Sequence, residues 1–225
     1  MKTRSLLIVG NTSFAEIAAL YFQRDTHYNV IGYAVDKDYI GKGSIIGSRE
    51  YDLADINNHL DKSEVDVYVA VTYSKINTLR AVFTQRVQEM GFTLASYISP
   101  HAYVDSTASL GEHIFIFENN VIQPYVVIGS NCVLWSGNHI GHHSRLGNNC
   151  FISSHVVLSG HCTVGKNTFI GVNSTISNNN HIGDFCWISP GSRIYKDIRN
   201  YAVIRHEHSE ISTVPSTRMF QINIQ

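Results

Sequence analysis

From Ile98 onward, every sixth residue is aliphatic: Ile98, Val104, Leu110, Ile116, Ile122, Ile128, Leu134, Ile140, Leu146, Ile152, Leu158, Val164, Ile170, Ile176, Ile182, Ile188 and Ile194. The period holds over seventeen positions without a slip. An amphipathic helix repeats at 3.6 residues and a half-buried strand at two, so neither explains it. A triangular parallel β-helix does. Each flat side takes six residues and sends one aliphatic side chain to the axis, and three sides close a coil. Residues 18 apart then stand one above another, with coils about 4.8 Å apart.

Other positions keep the same register. Counting the aliphatic position as i, glycine fills i+1 at residues 111, 129, 141, 147, 165, 171 and 183. Position i+3 turns a corner, where left-handed backbone suits Asn, His and Gly. It holds His101, His113, Asn119, Asn131, Gly137, His143, Asn149, His155, His161, Asn167, Asn173, Asn179 and Gly191. Position i+4 is a confined inward corner for small residues, and Cys132, Cys150, Cys162 and Cys186 all lie there. The cysteines therefore read as reduced core residues. None forms the CxxC pair of a zinc ribbon. The tail Tyr195–Gln225 leaves the repeat and is expected to cap the open end.

The first half has a different pattern. The apolar run Ser5–Gly10 reads as a buried parallel strand, and Phe14–Gln23 as a helix with N-cap oxygens at Asn11, Thr12 and Ser13. Tyr28–Val35, Val65–Val71 and Phe92–Ile98 read as strands, and Asp52–Leu60 and Ile76–Met90 as helices. Leu79, Val82, Phe83 and Val87 are at core spacing on the last helix. This alternation predicts an α/β domain with a small parallel sheet. Ligands of such sheets bind at the carboxyl ends of the strands. The first turn, GNTSFAE, lacks the later glycines of a dinucleotide fingerprint, which disfavours a nicotinamide or flavin enzyme. A free helix N-terminus there still suits a phosphate.

Composition adds limits. The 225 residues divide into a domain over 1–97, the solenoid over 98–199 and a tail over 200–225. Charged residues are only 16%, which neutral solenoid faces explain, and the net charge is -1. That balance gives no electrostatic case for nucleic acid or an anionic membrane. The run Leu6–Val9 is too short for a signal-peptide core or a membrane span, so a cytoplasmic location is expected.

The 12 histidines are the unusual count. Those at i+3 follow from corner geometry, and His206 and His208 in the tail read as solvated. His142 alone lies at i+2, where geometry gives no reason for an imidazole. One coil above it stands Gly160, which opens space and brings a backbone N–H close. An imidazole base beside a backbone donor suits acyl transfer. A surface corner residue is the other reading. His143 and His161 should stack, but no third ligand for a metal is evident.

The order of parts resembles the bacterial sugar acyltransferases of the sialic acid O-acetyltransferase and bacillosamine N-acetyltransferase type. The segments that carry the resemblance are IVGNTSFAE, the hexapeptide repeats and IGHHSRLG. The resemblance implies a Rossmann-like domain followed by a left-handed parallel β-helix. It implies an acetyl-CoA-dependent N-acetyltransferase acting on a nucleotide-activated amino sugar for surface glycan biosynthesis. His142 would be the general base and Gly160 and Lys166 would contact acetyl-CoA, with no metal. The family's acidic residue after the base is His143 here, and His143 would take its place beside the base. Gly10, Asn11, Thr12, Ser13, Asp36, Lys37, Thr72, Tyr73 and Asn77 would hold the nucleotide sugar. A homotrimer would share the acetyl-CoA groove between subunits. The alternatives are an O-acetyltransferase of the sialic acid type, a carbonic anhydrase-like β-helix metalloenzyme, and a non-catalytic sugar-binding scaffold.

Overall fold

The computed structural model describes residues 3–43, 45, 48–205 and 212–222. His206 and His208 lie outside the described residues. The first half contains β1 (Arg4–Val9), α1 (Ser13–Asp25), β2 (Tyr28–Val35), β3 (Glu50–Asp52), β4 (Val65–Val69), α2 (Thr78–Glu89) and β5 (Thr93–Leu94). The strands form one parallel sheet in the order β3-β2-β1-β4-β5. The order reverses between β1 and β4, and this opens a crevice at their carboxyl ends.

Two expected helices differ from their reading. Leu53–Asn58 closes as a 3-10 helix, with the Asp52 carboxylate accepting from Ala54 N. Its two buried residues, Leu53 and Ile56, are three apart, and three residues per turn puts them on one side. In α2, Val82 is exposed, and the buried face is Arg80, Thr84 and Val87. The helix is rotated by an arginine that its apolar spacing does not reveal.

From Tyr97 to Ile204, two-residue strands stack into three parallel sheets of seven, six and five strands. The first face runs from Tyr97–Ile98 to Val203–Ile204, the second from Tyr103–Val104 to Arg193–Ile194, and the third from Ser109–Leu110 to His181–Ile182. Partners are 18 apart, as in Val121↔His139↔Val157. This is a parallel β-helix. The aliphatic i residues from Val104 onward and all four cysteines form its axis, while Ile98 at the open end is exposed. The i+4 residues contribute more than small size. Cys132 and Cys150 donate their S–H to Gly147 O and Gly165 O at 3.2 Å, and Ser144 donates its hydroxyl to Ser159 O at 2.9 Å. A small side chain with one donor satisfies a carbonyl at the corner.

The corners at i+3 adopt left-handed backbone from His113 to Gly191. His101 does not; its N–H donates to the Ser99 hydroxyl at 3.2 Å and not to a carbonyl of a neighbouring coil. Tyr125 and Phe185, though bulky, do adopt it; Phe185 stacks on Tyr201, and Tyr125 packs at a tilt on His143. Ladder pairing continues beyond residue 199: Val203–Ile204 pairs with Trp187–Ile188 in a coil two residues short. Among the described residues, no helix is long and apolar enough to cross a membrane.

The α/β domain packs on the first face. There the outward positions Phe115, Val133, Phe151 and Phe169 join Phe14, Phe22 and Tyr68 in one core. His113 links the halves, with Val69 N–H donating to its Nε2 at 3.3 Å and Ala95 O lying 2.9 Å from Nδ1. Burial lowers the His113 pKa from 6.5 to about 4. The unfolded chain therefore binds a proton that the fold rejects, so stability falls as pH drops from 6.5 towards 4. We expect this one group to remove about 3 kcal/mol over that window. Urea titrations at several pH values should show that slope, and His113→Phe should flatten it.

Candidate active site

His142 and His143 stand on the corner between the second and third faces, after the strand His139–Ile140. Ladder bonds fix this corner: His143 N–H donates to Pro124 O at 3.1 Å, and His161 N–H to His142 O at 2.9 Å. Gln123 Oε1 accepts from His142 N–H at 2.9 Å. The imidazoles of His142 and His143 meet with their Nδ1 atoms 3.1 Å apart. His161 stacks on His143 at 4.8 Å between centroids, and Tyr125 packs on His143 at 4.8 Å. All three histidines are exposed.

The structure brings Gly160 to His142. A Cβ at Gly160 would lie 2.7 Å from both Cε1 and Nε2 of His142, so any larger residue would displace the ring. Lys166 is elsewhere. It turns the next corner, between the third and first faces, with its N–H on Asp184 Oδ1 and its Nζ over the Phe185 ring. Partial loss of solvation, then the neighbouring rings of His161 and His142, push the His143 pKa below the ordinary histidine value. His143 is therefore neutral at neutral pH and free to accept a hydrogen bond.

The expected substrate residues gather at the carboxyl ends of β1, β2 and β4. Gly10, Asn11, Thr12, Asp36 and Thr72 line a cavity of about 320 Å³, with Leu79 and Phe83 as apolar wall. Gly10, at φ +119, permits close packing, because a Cβ there would meet Ala70 O at 2.8 Å. Asn11 Nδ2 donates to Tyr39 O and Glu50 Oε1, both at 3.1 Å, and so holds the cavity's rim. Asp36 is paired with Arg86 at 2.9 Å. Ser13, Thr72 and Tyr73 line a second cavity, of about 340 Å³, against Trp135 and Phe151 of the first face. The buried indole N–H of Trp135 has no partner among the described residues.

Two expected residues stand apart. Lys37 lies in an exposed 3-10 turn and lines neither cavity. Asn77 is fully buried; its Nδ2 donates to Thr168 O, and its Oδ1 accepts from Arg80. It is a bracket between domains and has no free group for a ligand. Two residues that the sequence reading missed also tie the halves together. Arg80, also fully buried, spreads its guanidinium over Asn131, Cys150, Val71 and Thr72. Glu118 accepts from Tyr21 of α1 and from Ser136 of the solenoid. Asn77, at φ 63, starts the helix that carries Arg80.

The comparisons with known proteins agree with this architecture. The family model "Bacterial transferase hexapeptide (six repeats)" matches residues 143–178, and "Hexapeptide repeat of succinyl-transferase" matches 125–154 and 162–196. No curated protein matches the chain in sequence. Among solved structures, the chain is similar to the acetyltransferase domain of PglB from Neisseria gonorrhoeae FA1090, which is also known in complex with acetyl coenzyme A. The identity is 22% and the TM-score 0.79, over 89% of this chain and 95% of that one. It is also similar to PerB from Caulobacter crescentus in complex with CoA and GDP-perosamine, at 22% identity and TM-score 0.78, over 88% and 92%. WeeI from Acinetobacter baumannii AYE matches at 14% identity and TM-score 0.60, over 89% and 96%. At these identities the likeness is one of fold.

Proposed function

We propose that this chain is a cytoplasmic acetyl-CoA-dependent N-acetyltransferase acting on a nucleotide-linked amino sugar in surface glycan biosynthesis. The observation that carries the reading is His142, with its ring seated over a bare Gly160 and its Nδ1 against His143 Nδ1. A contact between two Nδ1 atoms needs one proton and one lone pair. With the proton on His142 and neutral His143 accepting it, His142 Nε2 keeps its lone pair as a base. The sugar amine attacks the thioester carbonyl carbon, and Nε2 takes the proton released from nitrogen. As the tetrahedral intermediate collapses, the carbon–sulfur bond breaks, and the CoA thiolate leaves with that proton.

The acceptor would be held by its nucleotide at the strand ends. The α1 N-terminus and the Gly10–Ser13 turn suit the diphosphate, and the apolar wall of Leu79 and Phe83 suits the base. On this reading the first domain is Rossmann-like and the solenoid left-handed. The complexes of PerB with GDP-perosamine and of PglB with acetyl coenzyme A support the two substrate classes. A homotrimer is supported by position. The α/β domain packs on the first face, whereas His142 stands on the corner opposite, so a neighbouring subunit must bring a bound sugar to it. A closed cyclic assembly does so for every protomer.

The test is acetyl-CoA turnover against a panel of UDP-, dTDP- and GDP-linked amino sugars, read as CoA thiol released and N-acetyl sugar formed. Turnover with at least one amino sugar, and none with its hydroxyl analogue, is expected. Acetylation of free sialic acids instead would overturn the acceptor class.

A further inference from the structure

The stacked pair His143–His161 gains from the fold a third donor that spacing does not show. His142, His143 and His161 each offer a ring nitrogen, and the three nitrogens lie within 4.8 Å of one another. Zinc–nitrogen bonds of about 2.0–2.1 Å in a tetrahedron set donors about 3.3 Å apart. The Nδ1 atoms of His142 and His143, 3.1 Å apart, already have that spacing. The third donor needs only a rotation of exposed rings, while ladder bonds hold the backbone of the corner.

The donor set also selects the ion. Three imidazoles with no carboxylate suit zinc, copper or nickel, and disfavour magnesium and calcium. Three protein ligands on an exposed corner leave the fourth position open.

We propose that His142, His143 and His161 bind one divalent ion of the zinc class, and that the bound ion silences His142. A neutral imidazole has a single lone pair, and its other nitrogen carries the proton. An ion on either nitrogen of His142 therefore removes the base. The silencing rests on the acetyl-transfer reading above, whereas the binding does not.

The experiment is equilibrium dialysis of the untagged, chelator-stripped protein against ZnCl2, with zinc measured by atomic absorption. Wild type should hold one zinc per chain. His161→Gln should bind at least about tenfold more weakly, since loss of an outer-shell partner alone costs 10–100-fold. In parallel, N-acetyl sugar is measured by chromatography. Saturating zinc should lower the wild-type rate at least ~10²-fold, as loss of the general base does, and EDTA should restore it. His161→Gln should keep its zinc-free rate at the same zinc concentration. No bound zinc, or equal binding by His161→Gln, overturns the site. Bound zinc with an unchanged rate overturns the silencing. A protein that acetylates nothing in either state overturns the acetyl-transfer reading, and the dialysis still decides the site.

Discussion

His142→Asn should lower turnover at least ~10²-fold, the lower end for loss of a general base. Asparagine keeps a polar side chain of similar reach, and the corner is held by backbone bonds, His143 N–H donating to Pro124 O and His161 N–H donating to His142 O. The fold should therefore survive, and the melting temperature should stay within a few degrees of wild type. The loss should fall on kcat, because the ring acts on a proton that moves after acceptor and donor are bound. His143→Ala should cost less. It removes the acceptor for His142 Nδ1 and leaves Nε2 able to act in a looser ring. Steady-state kinetics at saturating acetyl-CoA and sugar separate the cases. An unchanged kcat in His142→Asn would remove His142 from the chemistry.

Arg80→Met should lower stability by about 3–5 kcal/mol, because several buried oxygens lose their donor together. Methionine keeps much of the volume but none of the donors. It strands the carbonyl of Asn131, which accepts from Nη2 at 3.0 Å, and the side-chain oxygens of Asn131 and Asn77, whereas Cys150 O, 3.2 Å from Nη2, keeps the ladder bond from Val133 N–H. Each buried acceptor left without a donor costs about 1–3 kcal/mol. Arg80→Lys keeps the charge without the planar fork and should fall between the two. Guanidinium titrations give the size of the effect. A midpoint unchanged in Arg80→Met would show that α2 is held by packing alone. Arg80 also binds Val71 O and Thr72 O, both 3.4 Å from Nη1, in the segment that walls both cavities. The KM for the nucleotide sugar should therefore rise together with the loss of stability.

The sequence and the structure agree most closely where periodicity decides. The aliphatic i positions, the 18-residue stacking and the left-handed corners from His113 onward follow from one repeat, because every coil obeys the same backbone geometry. The seating of Gly160 over His142 follows from that stacking as well. The reading fails where the two halves meet. Arg80 looks like a solvated helix residue, and Asn77 like a strand-end ligand. Both are set by contacts to residues 50 or more positions away, which local pattern does not encode. The interface itself did leave a signal. The residues just before the aliphatic position are Tyr97, Phe115, Val133, Phe151, Phe169 and Trp187 on one side of the coil only. Their counterparts are Ser109, Val127, Arg145, Thr163 and His181 on the third side, and Tyr103, Val121, His139, Val157, Thr175 and Arg193 on the second, so neither carries an aromatic column. A column of large outward rings at 18-residue spacing marks a covered face. Spacing alone does not join His142 to the His143–His161 pair, because only the corner turns the rings of His142 and His143 towards each other.

That column has a consequence for how such a chain can change. Tyr73 rests on Phe151, Phe169 and Trp187, while α1 reaches Phe115 and Phe117. The first domain is thus clipped to the solenoid at rungs about 4.8 Å apart, and His142 stands on the same ladder. The molecule is graduated. The domain grips rungs from Phe115 to Trp187 at once, so a coil gained or lost between them would carry one clip a full division out of its reach. The number of rungs between the clips is therefore fixed, and with it the height of His142 along the axis relative to the carboxyl ends of the parallel sheet. Coils can be added or removed only outside that grip.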